Sequence, residues 1–196
     1  MAEKRRQRVV LASSSPRRAE LLRLVVPDFT VVPPETAERE IRRPWDLVRN
    51  ARAKAREVAG RHPGIVIGAD TGVFRKGKHF GKPRDLEEAA EMLRALSGGW
   101  HWVYTALWVV CPAGERWDLV GTAVRFAPLS HEEIRWYLAR EEVLDKAGAY
   151  AIQGAAALFV EEIRGDFFNV VGLPLRALYR LLRGCGLDLA LEEGGC

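Results

Sequence analysis

Four cations and two acids in this sequence stand where a charge is costly, and together they have the chemistry of a metal-assisted phosphate site. The stretch LASSSPRRAELL, residues 11 to 22, runs three serines into Pro16 and the pair Arg17 and Arg18. Val9 to Ala12 read as the end of a strand, Ser15 as a natural N-cap, and Pro16 fits the first helical position. Arg17 and Arg18 then fall in the first turn, where the helix dipole is positive and unpaired N–H groups already favour an anion. A capping box would have Glu or Gln where Arg18 stands. Two cations at this end of a helix make sense where a bound anion offsets them, and a second reading has Arg18 facing an acid across the fold.

Asp70 lies within IVIGADTGVF, a segment otherwise apolar or glycine apart from Thr71. A carboxylate there must meet a cation, a metal or water, because a lone buried charge is expensive. Its plainer reading is a strand-end acid paired with a nearby lysine. The flanking Gly68 and Gly72 would let a ligand or another backbone approach closely. Lys54 falls on the inward stripe of Leu47, Ala51, Ala55 and Val58, where it either snorkels to the edge of the core or reaches a phosphate. Lys82 follows Gly81 and precedes Pro83 in a rigid turn, and Glu38 sits in the irregular PPETAERE; taken alone, each reads as a solvated charge. Taken together, cations that neutralise phosphates and carboxylates that hold Mg²⁺ suit a triphosphate plus a divalent metal. Neither G-x-x-x-x-G-K-[ST] nor G-x-G-x-x-G occurs, so P-loop and Rossmann phosphate binding do not apply.

The whole chain narrows the classes. Its 196 residues suffice for a real core, and the net charge of +4 permits an anionic ligand without demanding nucleic acid. Basic residues are scattered rather than striped, and the KRR at positions 4 to 6 reads as a solvated end. No apolar run is long enough to span a membrane, and VVLA is too short for a signal-peptide core, which places the chain in the cytosol. Cys111, Cys185 and Cys196 are odd in number and widely spaced, so neither a disulfide framework nor a zinc site is expected. Few amides and arginine favoured over lysine lean towards a thermophilic source.

The elements needed to position these residues alternate. A strand ends at Ala12, a helix runs from Pro16 to Leu24, and Phe29 to Val32 make a short strand. Pro44 opens a helix to Ala59, broken by His62-Pro63-Gly64. IVIGADTGVF is a buried strand turned by RKGK into a hairpin. Asp85 and Glu88 form a capping box for a helix that stops at Gly98 and Gly99. WHWVYTALWVV and GTAVRFAPL are strands, Ser130 and Glu133 cap HEEIRWYLAR, ALFVEEI is a strand, and Pro174 opens a last helix ending at Gly184. The order predicts a mixed α/β fold with hairpins rather than a uniform βαβ repeat.

LASSSPRRAELL, IGADTGV, GKPRDLEEAAEMLRALSG, HWVYTA, LDKAGAYAIQG and NVVGLPL, in this order and spacing, resemble the Maf family of nucleoside triphosphate pyrophosphatases from about residue 8 to 182. The resemblance implies a single Maf-like domain over 1–196, of which residues 1–7 are a basic N-terminal end. It also implies an inosine triphosphate pyrophosphatase-like (Maf/Ham1) fold, a mixed central sheet with flanking helices and two lobes around a cleft. It implies hydrolysis between the α and β phosphates with a divalent metal, Mg²⁺ first and Mn²⁺ as the alternative, and a chain that is often dimeric. The family's positions match Ser13, Arg17 and Arg18 for phosphate, Glu38 and Asp70 for metal, Lys54 and Lys82 with Asp70 for catalysis, and Gln153 for the base. GADT with GAYAIQG resembles the subgroup that takes dTTP and UTP, with modified pyrimidine nucleotides as further substrates. Ala106 and Gly72 depart mildly from the family pattern. Family links to arrest of division imply a different class as alternative, a septation regulator acting by protein or DNA binding. The scattered charge argues against DNA.

Overall fold

The computed structural model describes residues 7–189, so the basic KRR and Cys196 lie outside the described residues. Strands β1 (Val9–Ala12), β2 (Phe29–Val31), β3 (Ile65–Arg75), β4 (Lys78–Phe80), β5 (Trp100–Cys111), β6 (Gly114–Phe126) and β7 (Val160–Arg164) form one mixed sheet. Its order is β2-β1-β3-β5-β6-β7, with β4 paired to β3 off that path. β1 runs parallel to β2 and β3, and the remaining pairs are antiparallel. Helices α1 (Pro16–Arg23), α2 (Pro44–Ala59), α3 (Leu86–Leu96), α4 (His131–Leu138), α5 (Phe167–Val171) and α6 (Leu175–Gly184) flank it. The mixed α/β expectation holds.

Strand alternation sorts the core into two sides. Ile65, Ile67 and Ala69 of β3 join Leu21 and Leu22 of α1, Leu93 of α3, Tyr137 of α4 and Leu178 of α6 in the large cluster. Val66 faces the opposite way and packs with Val10 and Val58, beside a cluster of Leu47, Val48, Ala51, Ala55, Phe74, Ala106 and Trp108. Thus α2 covers one face and the other helices cover the second. Gly68 makes the α2 contact this close: a Cβ there would lie 2.4 Å from the Ala51 carbonyl oxygen and 2.8 Å from Ala55 Cβ.

Register explains where the sheet opens. β1 pairs with β3 from Val9–Ile65 to Ala12–Gly68 and then ends. β4 takes up the same edge only at Val73, while β5 lines the other edge from Val66 to Phe74. The backbone of Ala69 to Gly72 is therefore left without a strand neighbour on the β1 side. Asp70 and Thr71 sit in that gap and, as neighbours in a strand, point to opposite faces.

Four sequence expectations need correction. Asp85 accepts from the Glu88 N–H at 2.8 Å, but the Glu88 carboxylate turns to Arg84 instead of closing a capping box. β6 begins at Gly114, not Gly121, because β5 is long enough to pair with it down to Cys111–Gly114. ALFVEEI is a strand only from Val160; Ala155–Phe159 form a 3₁₀ turn. Cys111 and Cys185 form a disulfide with Cα atoms 6.0 Å apart, tying the end of β5 to the end of α6. Separated by 74 residues, they carry no local signature, and the fold alone brings them together.

Candidate active site

The open edge of β3 floors a cleft of about 430 Å³. Ser13, Arg17, Arg18, Glu38, Lys54, Asp70, Lys82 and Gln153, spread over more than two-thirds of the chain, all line it. On the α2 side, Asp70 is buried and held at both oxygens. Lys54 Nζ donates to Asp70 Oδ1 at 2.8 Å, and Asn50 Nδ2 donates to Oδ2 at 3.0 Å. Asn50 and Lys54 are one helical turn apart on α2, so they present to the same point. Lys54 Nζ also donates to Glu38 Oε1 at 2.6 Å, making one buried ammonium the bridge between two acids.

Lys54 is only 6% exposed, so it does not snorkel into solvent. Burial pushes the Glu38 carboxyl upward, but the Lys54 hydrogen bond and the charges of Lys54, Lys82 and Arg18 together hold it below the usual carboxylate range. Glu38 is thus an anion paired to Lys54 while about half of its side chain stays in solvent. Lys82 lies in the cleft wall close enough for its charge to act on Glu38.

The other side is built on α1. Ser15 occupies the N-cap position but its side chain makes no capping bond, and the first turn contains no acid. The α1 N-terminus therefore keeps its anion preference. Ser13 Oγ accepts from the Ser15 N–H at 3.2 Å and from Arg18 Nη1 at 3.3 Å. With both acceptor positions engaged, its hydroxyl proton is left to donate into the cleft. Arg18 also donates from Nε to the Gly172 carbonyl and from Nη2 to Thr71 Oγ1, each at 2.9 Å. The acid-facing reading of Arg18 is not realised, since these three acceptors are neutral. Burial lowers its pKa while the charges of Asp70 and Glu38 raise it, and the guanidinium stays a cation. Arg17 reaches across the mouth to Asp145 at 3.4 Å.

Sequence reasoning missed Asn50, Thr71, Asp145 and Lys146. Asn50 had a signal, a polar residue four positions before Lys54 on a buried helix face. Thr71 had none beyond its place beside Asp70. Tyr150 lines the cleft, and its hydroxyl lies 2.8 Å from Nε2 of the fully buried His101.

Two carboxylates sharing one ammonium fit a hydrated Mg²⁺, which takes one or two protein carboxylates and completes its shell with water and phosphate oxygens. Among the described residues no three His, Cys, Asp or Glu converge, so a cage made by protein side chains alone is not built there.

Known proteins are similar to this chain over most of its length. A protein of Symbiobacterium thermophilum named dTTP/UTP pyrophosphatase is 50% identical over 193 residues, covering 96% of this chain and all of that one. One of Lacticaseibacillus casei with the same name is 48% identical over 179 residues, covering 89% of this chain and 97% of its own. The Staphylococcus aureus Ham1 protein aligns in structure over 62% of this chain and 72% of that one, at 14% identity and a TM-score of 0.48. The profile of the Maf-like protein family matches residues 8–185, nearly the whole length, and the chain belongs to that family.

Proposed function

We propose that this protein hydrolyses the α–β phosphoanhydride of pyrimidine nucleoside triphosphates, dTTP and UTP, to monophosphate and pyrophosphate. The observation that carries this reading is the Asp70–Lys54–Glu38 cluster at the open edge of β3, facing Ser13 and the uncapped start of α1. The two relatives at 50% and 48% identity bear that activity in their names.

Ser13, Arg17 and the first N–H groups of α1 receive phosphate oxygens. Asp70 and Glu38 would hold Mg²⁺, which when bound would supply positive charge to the phosphates. Asp70 keeps a free lone pair on each oxygen beside its bonds to Lys54 and Asn50, enough to orient a water towards the α-phosphorus and take its proton. That water's oxygen bonds to the α-phosphorus as the bond to the bridging oxygen breaks. Lys54 and Lys82 stabilise the charge gathering on the departing pyrophosphate. Positioning and electrostatics suffice, so no covalent intermediate is invoked. Gln153, at the rim, offers a donor and an acceptor to the O and N–H edge of uracil or thymine. No helix among the described residues is long and apolar enough to cross a membrane.

Turnover of single nucleotides with Mg²⁺, resolving pyrophosphate from orthophosphate, tests the reading on wild type and Asp70→Asn. UTP or dTTP should yield pyrophosphate, and Asp70→Asn should lose about 100-fold or more. Orthophosphate as the product, or an active Asp70→Asn, overturns it.

A further inference from the structure

Arg18 is held by groups that the catalytic reading leaves unused. Its Nη2 donates to Thr71 Oγ1 at 2.9 Å, Thr71 Oγ1 lies 2.9 Å from Thr105 Oγ1, and Thr105 Oγ1 donates to the Asn169 carbonyl at 3.0 Å. The polarity of this chain follows from its ends. A guanidinium only donates and a carbonyl only accepts. Thr105 spends its one proton on Asn169, so Thr71 must donate to Thr105 and is left to accept from Arg18. Every link points the same way, and such chains strengthen each other in a medium of low dielectric.

The far end is anchored as firmly. Asn169, fully buried in α5, donates from Nδ2 to the Val103 carbonyl and to Thr122 Oγ1, each at 2.9 Å. The Gly172 carbonyl that receives Arg18 Nε follows that same short helix. Thr71 and Thr105 are a directly opposed pair across β3 and β5, and Thr105 is fully buried, so no water replaces its hydroxyl. At the near end, Arg18 Nη1 occupies the Ser13 acceptor position that leaves the Ser13 proton facing the cleft.

We propose that Thr71, Thr105 and Asn169 are positioning residues that fix the Arg18 guanidinium and, through it, the donor polarity of the Ser13 hydroxyl at the phosphate site. This rests on the pyrophosphatase reading for its consequence in turnover, but it predicts anion binding independently of it. Through Arg18 the chain leaves the Ser13 hydroxyl to act as a donor, which suits an ionised phosphate oxygen.

The test compares Thr71→Val, Thr71→Ser, Arg18→Ala and the double variant Arg18→Ala/Thr71→Val. Two readouts are taken on each: kcat and KM for UTP with Mg²⁺, and inorganic pyrophosphate binding by titration calorimetry. Thr71→Val, which removes only the hydroxyl, should lower kcat/KM and pyrophosphate affinity by about tenfold. Thr71→Ser, which keeps it, should restore both to within about threefold of wild type. In the Arg18→Ala background, Thr71→Val should add less than about twofold. A Thr71→Val enzyme equal to wild type, a Thr71→Ser as impaired as Thr71→Val, or additive effects in the double variant each overturn the proposal. Should Thr71→Val fold poorly by thermal melt, Thr105→Val replaces it with the same expectations. If no nucleotide turns over on wild type, the functional reading fails while pyrophosphate binding still decides the relay. Wild type that does not bind pyrophosphate overturns the relay as well.

Discussion

On the α2 side of β3, Lys54 stands between Asp70 and Glu38, so charge is answered by charge; on the α1 side, Arg18 is answered only by a carbonyl and two hydroxyls. The strand places the two arrangements one residue apart, at Asp70 and Thr71. The acidic side is balanced internally, with Lys54 bonded to both carboxylates. The basic side spends three of the five guanidinium N–H groups on neutral acceptors and keeps its positive charge for a ligand. One wall thus suits a cation and the other an anion, the pair of demands that a metal-bound triphosphate makes.

Lys54→Met should break the acidic wall with the largest effect. It leaves Asp70 buried without its cation, and should cost about 3 kcal/mol or more of stability in urea unfolding as well as about 100-fold in turnover. Adding Asp70→Asn to it should recover much of the stability and none of the activity, because a neutral buried pair is tolerated where a lone charge is not. Cys185→Ser is a control outside both walls. It should lower stability by roughly 2–4 kcal/mol, seen as a fall of roughly 5–15 °C in Tm, with UTP turnover at 25 °C unchanged. Arg18→Met should be milder for folding than Lys54→Met, about 1–3 kcal/mol, since it strands neutral acceptors and no opposite charge. A larger loss for Arg18→Met than for Lys54→Met in the same urea series would reverse the comparison.

The smallest effect concerns His101, behind the cleft wall. Burial above all, with Arg75 adding to it, pushes its pKa down to about 3. As pH falls below about 6.5 the unfolded chain takes up this proton and the folded one does not, so this share of stability is complete above that pH and declines towards pH 3. His101→Gln should therefore flatten the loss of urea midpoint between about pH 7 and 4 relative to wild type. Parallel slopes for the two proteins would remove His101 as a cause of acid sensitivity.

Much of this was legible in the sequence because it is local. The break at Ala12, Pro16 at the start of α1, the span of α2 from Pro44 to Ala59 and the Ser130–Glu133 capping box follow from short-range sterics and backbone hydrogen bonding. Lys54 on an apolar stripe and Asp70 in an apolar strand were conspicuous because burial makes charge expensive. Each still had a plainer reading, and the choice between readings was not local. What tertiary structure alone decided was partnership: Asn50 with Asp70, Arg18 with Gly172 and Thr71, Cys111 with Cys185. These pairs lie 20 to 154 positions apart in the chain. A side chain's type states what it needs, a donor, an acceptor or a thiol, whereas which group supplies the need depends on strand register and helix approach, properties of the packed whole.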